Sequence, residues 1–171
     1  GLETLFYRSD PDALYLASEV KQVLSGADVA PKPDLDTVEA LFYGELDTAT
    51  GRLAYVNAGH NPPFLFPDGQ RPARLGATAM ALGITMETDF PSMSVELDPG
   101  DRLVLYTDGV TEAEDMKDRE YGEARLEAWL QANREETGRR LIDGVIAEVL
   151  EHCGAARPRD DMTLMCLGRS R

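Results

Sequence analysis

The chain has 171 residues, 43% of them hydrophobic, with 17 Lys and Arg against 31 Asp and Glu for a formal net charge of −14. This length fits a single domain, residues 1–171, with a sizeable core. The acidic surplus argues against nucleic acid and anionic membrane as partners, and no apolar run approaches the roughly 20 residues that a bilayer crossing needs.

No signal-peptide pattern is evident. Cys153 and Cys166 are too few for a disulfide framework and read as thiols of a reducing cytoplasm. Neither has a Cys or His partner at zinc-clip spacing. The chain opens on Gly1 rather than Met, and a longer parent protein is expected.

In chain order, Asp10-Pro11 predicts a helix start, with Leu14, Ala17, Val20 and Leu24 at helical spacing and Gly26 as its stop. Residues 28–34, DVAPKPD, read as a loop. TVEALFYGELD (37–47) and RLAYVNAG (52–59) predict a hairpin around DTATG. FLF and ARLG predict a second, shorter hairpin across Asp68-Gly69. SMSVELD (92–98) sets Met93, Val95 and Leu97 on one face, and with RLVLYTD it predicts a third hairpin around DPGD.

Helices follow residue 120. Leu126, Trp129 and Leu130 form one apolar face. Leu141, Ile142, Val145, Ile146, Val149 and Leu150 form another, with Thr137 as cap and Gly154 as stop. MTLMCLG (162–168) is a last strand. Consecutive hairpins followed by helices predict an α+β fold with a mostly antiparallel sheet.

Two apolar strands carry carboxylates at their ends. Asp108 follows LVLYT, and Asp160-Asp161 precede MTLMCL. Adjacent extended residues point to opposite sides, so one of Asp160 and Asp161 is expected to face the same site as Asp108. Clustered carboxylates need neutralisation. Arg159 is one candidate partner and a hard divalent cation is the other, since Mg²⁺ and Mn²⁺ take oxygen ligands and few carboxylates. The plain alternative is that TDG is a turn and DD a solvated loop.

FYGELDTATGRLAYVNAGHNPPFLF, LGI, LDPGDRLVLYTDGVTEAED, YGEARL and RDDMTLMCL, in this order and spacing, resemble the SpoIIE-like branch of the PPM-type metal-dependent serine/threonine phosphatases. The resemblance covers residues 36–168. It implies a β-sandwich of two antiparallel sheets flanked by helices, with two Mn²⁺ or Mg²⁺ ions that activate a water for attack on phosphoserine or phosphothreonine. It maps metal ligands onto Asp108 and Asp160. Asp161 then orients the loop, and Gly109 allows close backbone approach. No side-chain nucleophile is implied. His60 in NAGHNPP reads as a turn residue rather than a general acid. Glu112 and Glu114 read as solvated loop residues rather than outer ligands.

The family's N-terminal Gly-Asp element, whose Asp bridges both ions, is missing, and the domain is expected to be incomplete at its N-terminus. No Gly-Asp occurs before Gly100-Asp101. Three accounts stay open: a fragment, a chain lacking an internal stretch, or a degenerate phosphatase that binds its partner without turnover.

The resemblance implies a phosphorylated regulatory substrate, such as an anti-sigma-factor antagonist. An N-terminal sensory domain in the parent is expected, and a homodimer stays open. The competing readings are a non-catalytic binding module of the same fold and an acidic α+β domain with no site.

Overall fold

The computed structural model describes residues 5–17, 40–81, 90–136, 138–156 and 158–170. Its fold is α+β: two antiparallel sheets with a few helices, the class expected from the sequence. The chain groups into two compact units.

One unit, Thr4–Pro62 with Leu75–Asp98, holds the five-stranded sheet. Its strands are β1 (Phe6–Ser9), β2 (Ala13–Ala17), β3 (Leu41–Asp47), β4 (Arg52–Ala58) and β7 (Met93–Glu96), in the order β1-β2-β3-β4-β7. The predicted β3–β4 hairpin forms, with Gly44 opposite Tyr55 and Leu46 opposite Leu53. Alternation turns Leu53, Tyr55 and Asn57 inward, and the Phe42 and Tyr55 rings stack at 5.9 Å.

The helix expected from Asp10 does not form over its described part. Residues 10–12 turn between β1 and β2, with the Asp10 N–H donating to the Ala13 carbonyl at 2.8 Å. Leu14 and Ala17 fit helical spacing, but the five-residue stretch ALYLA pairs with β3 along its whole length. Tertiary pairing overrides so short a local signal. The rest of that predicted helix, the 28–34 loop and the start of the 37–47 strand lie outside the described residues, as does the Thr137 cap.

The third predicted hairpin is also corrected. β7 pairs with β4, Leu53 opposite Val95, whereas β8 (Arg102–Tyr106) belongs to the other sheet. Succession along the chain suggested a pair, but each strand finds its partners elsewhere. Met93 is exposed and Leu97 buried, so the expected common apolar face is incomplete.

The other unit contains Pro63–Arg74 and Pro99–Arg171. Its sheet has the order β6-β5-β8-β9, with β5 at Phe64–Phe66, β6 at Ala73–Arg74 and β9 at Leu164–Gly168. The short β5–β6 hairpin forms as predicted. All five residues of β8 are buried, as a central strand requires.

The helices are α1 (Asp108–Thr111), α2 (Glu123–Ala132) and α3 (Gly138–Cys153). Leu126 and Leu130 of α2 join Leu141, Val145 and Val149 of α3 in a core with Phe64, Val104 and Tyr106. The buried α3 stripe is narrower than expected: it recurs every four residues from Leu141 to Cys153, leaving Leu150 46% exposed. Trp129 is half-buried and faces Gly144, where a β-carbon would lie 2.6 Å from its Cη2. The helix ends at Gly154, as expected, with φ of +60°.

Candidate metal centre

Antiparallel pairing explains how distant acids become neighbours. Tyr106, the last residue of β8, sits opposite Leu164, the first of β9. The exit of one strand is therefore beside the approach to the other. Asp108 leaves β8, and Asp160-Asp161 lead into β9.

Thr107 fastens the two segments. It is 1% exposed. Its N–H donates to the Thr163 carbonyl at 3.1 Å, and the Thr163 N–H donates back to Thr107 Oγ1 at 3.1 Å. The same hydroxyl donates to the Asp161 carbonyl at 3.3 Å. Chain direction then changes abruptly. The Asp108 carbonyl accepts the Glu112 N–H at 2.8 Å and the Thr111 hydroxyl at 3.2 Å, closing the single turn of α1.

Gly109 lies against the other segment. A β-carbon there would overlap the Asp161 carbonyl oxygen and sit 3.0 Å from its carbon and 3.5 Å from that of Asp160. Space, rather than an unusual φ, excludes a side chain at this position.

Asp108 is half-buried, whereas Asp160 and Asp161 are exposed. The Asp160 carboxylate accepts the Asp161 N–H at 2.8 Å. Glu112 shares this neighbourhood. Desolvation first, then the charges of Asp108, Glu120 and Asp160, push its carboxyl above the usual range. Repulsion of this kind marks carboxylates gathered without enough positive charge.

Arg159 does not provide that charge to Asp160-Asp161. Its guanidinium pairs with Glu114 at 2.8 Å and Asp118 at 3.3 Å. Both acids lie on residues 114–120, folded back by the Asp115 N–H donating to the Arg119 carbonyl at 3.0 Å. The Asp115 carboxylate is held well below its ordinary range, chiefly by the Arg119 side chain. Glu114 is thus engaged in an ion pair, while Glu112 stays near Asp108.

Asp108 and Asp160 offer oxygen donors only, which suits Mn²⁺ or Mg²⁺. Among the described residues, no three His, Cys, Asp or Glu side chains converge in a metal-holding group. A cation that keeps several of its waters needs only one or two carboxylates.

His60 belongs to the unit of the five-stranded sheet and is 4% exposed. Its N–H donates to Asn57 Oδ1 at 3.0 Å, and its ring Nδ1 donates to the Asn61 carbonyl at 2.9 Å. Asn57 also donates from Nδ2 to the Leu75 carbonyl at 3.2 Å. These bonds fix the NAGH turn.

Sequence reasoning missed Thr107 and Thr163. The signal was present, since Thr107 adjoins Asp108 and Thr163 lies two residues after Asp161, but their reciprocal bonds depend on the register of β8 and β9. It also left Asp101 in a turn. Asp101 is buried beside β8, where its Oδ1 accepts the Asp68 N–H at 2.8 Å.

Protein IcfG of Synechocystis sp. is 33% identical over 137 residues, covering 80% of this chain and 22% of the relative. Phosphoserine phosphatase RsbP of Bacillus subtilis is 41% identical over 69 residues, covering 40% of this chain and 17% of the relative. The chain thus spans about a fifth of the length of these relatives. The solved SiaA-PP2C domain of Pseudomonas aeruginosa shares the fold, with a TM-score of 0.76 at 17% identity over 96% of this chain and 78% of that one. The family described as Stage II sporulation protein E (SpoIIE) matches residues 8–170, and the chain belongs to this SpoIIE-like branch of the PPM-type phosphatases.

Proposed function

We propose that the chain is the metal-dependent phosphatase part of a larger regulatory protein. Its substrate would be phosphoserine or phosphothreonine on a protein such as an anti-sigma-factor antagonist. The supporting observation is the approach of Gly109 to the Asp160-Asp161 backbone, which makes neighbours of two acids far apart in sequence. The name of the RsbP relative, a phosphoserine phosphatase, supports the same reaction class.

Asp108 and Asp160 are the residues that would hold Mn²⁺ or Mg²⁺, and the complete family site takes two ions. When bound, the metal supplies positive charge for the phosphoryl oxygens and an activated water. The chain's own contribution is placement. β8 fixes Asp108, Thr107 ties it to the β9 approach, and Asp161 orients the loop that carries Asp160. A rigid strand end positions a ligand better than a free loop does. His60 acts as a turn residue. The protein works in the cytoplasm, and an N-terminal sensory domain of the parent controls it.

The test is hydrolysis of p-nitrophenyl phosphate with and without Mn²⁺, by the chain and by its Asp108→Asn form. Mn²⁺-dependent turnover lost in the variant supports the proposal. Turnover that survives the substitution removes Asp108 from the reaction. Mn²⁺ binding without turnover would identify a partner-binding module.

A further inference from the structure

A cavity of about 340 Å³ lies at the other end of β8, lined by residues that include Asp101, Arg102, Arg134, Glu135 and Arg169. Its size is at the lower end of small-molecule sites. The site is distinct from the acidic strand ends. Arg102 opens β8 and Asp108 lies two residues beyond its end, roughly 20 Å away at the rise of an extended chain.

Two guanidinium groups set its chemistry. Arg102 is only 9% exposed. Its Nη1 donates to the Glu136 carbonyl, a neutral acceptor, and among the described residues no carboxylate lies at ion-pair distance from it. Arg134 is half-buried, just beyond α2, and likewise has no ion pair among the described residues.

Buried charge is ordinarily paired, because leaving it unpaired in a dry setting is costly. Arg cannot escape that cost by losing its proton. Three acids, Asp68, Asp101 and Glu135, share the lining, but none of them lies at ion-pair distance from either guanidinium; Asp101 Oδ1 accepts the Asp68 N–H at 2.8 Å, and Glu135 is exposed. Guanidinium groups also suit planar or tetrahedral oxyanions, which they bind through paired N–H donors.

We propose that this cavity binds a small oxyanion, the phosphate or carboxylate group of a soluble molecule, between Arg102 and Arg134. The site is separate from the phosphatase reaction.

Inorganic phosphate is the probe. Calorimetric titration of the chain is carried out after EDTA treatment, at constant ionic strength set with chloride, so that metal-held phosphate and general salt effects are absent. The expected result is saturable binding in the millimolar range. Arg134→Gln, at a half-buried position outside the strands, should raise the dissociation constant at least fivefold. Asp108→Asn should leave it unchanged. No saturable heat with the wild type, or an unaltered constant in Arg134→Gln, overturns the proposal. Loss of binding in Asp108→Asn also overturns it, by placing the phosphate at the acidic strand ends. Arg102→Gln is avoided as the main variant because its side chain is buried in the central strand.

Discussion

The Asp161 carbonyl occupies the space that a side chain at Gly109 would fill. The contact joins the turn after β8 to the approach to β9 and holds the two acidic segments together. Gly109→Ala should force them apart. Overpacking of this kind costs about 1–3 kcal/mol. The larger effect should be on Mn²⁺, whose affinity, read by calorimetry, falls while the circular dichroism spectrum keeps its native shape. Unchanged affinity would mean that the spacing of the two segments is immaterial to the metal.

Asp108→Asn separates ligation from folding. The substitution removes one of the mutually repelling charges around Glu112. The metal-free variant should therefore melt at the wild-type temperature or slightly above. With Mn²⁺ at a hundred times its Kd, the wild type gains about 2.7 kcal/mol. The variant should gain almost none. An equal rise in both proteins places the ion elsewhere.

Thr107→Val keeps the shape of the side chain but deletes the hydroxyl between the Asp161 carbonyl and the Thr163 N–H. A buried polar group left unpaired costs about 1–3 kcal/mol. Thr107→Ser retains the hydroxyl and should recover most of the loss. Urea titrations of the pair decide the point, and equal midpoints would leave the hydroxyl without a structural role.

Tyr121 predicts an alkaline effect. Its buried hydroxyl has no hydrogen-bond partner among the described residues. Burial first, then the charge of Glu148, push it up to about 12 from 10.0. The raised value means that the folded state keeps the proton longer than the unfolded state does. The resulting stability is fully present below pH 10 and is lost as pH rises through about 12. Tyr121→Phe should be neutral or mildly stabilising at pH 8, and its denaturation curve should fall less steeply between pH 10 and 12. Parallel pH profiles would contradict the assignment.

The acidic strand ends were legible because a motif placed them, and β4 was legible because RLAYVNAG follows the DTATG turn as the return arm of a hairpin. β2 was not. Leu14 and Ala17 satisfy helical spacing and strand burial equally well over so few residues, and only pairing with β3 decides. The partners of β7 and β8 were hidden for a related reason: both strands are strong, yet neighbouring strands in sequence need not share a sheet. The partners of Arg159 were also out of reach, because they depend on the fold-back of residues 114–120.

The pairing of Tyr106 with Leu164 has an architectural consequence. The coordinates of the acidic pair depend on strand register and on little that lies between. The helical excursion from one strand to the other returns to its starting point whatever its length. Evolution can lengthen, shorten or redecorate that detour while the two acidic segments stay where the ladder puts them.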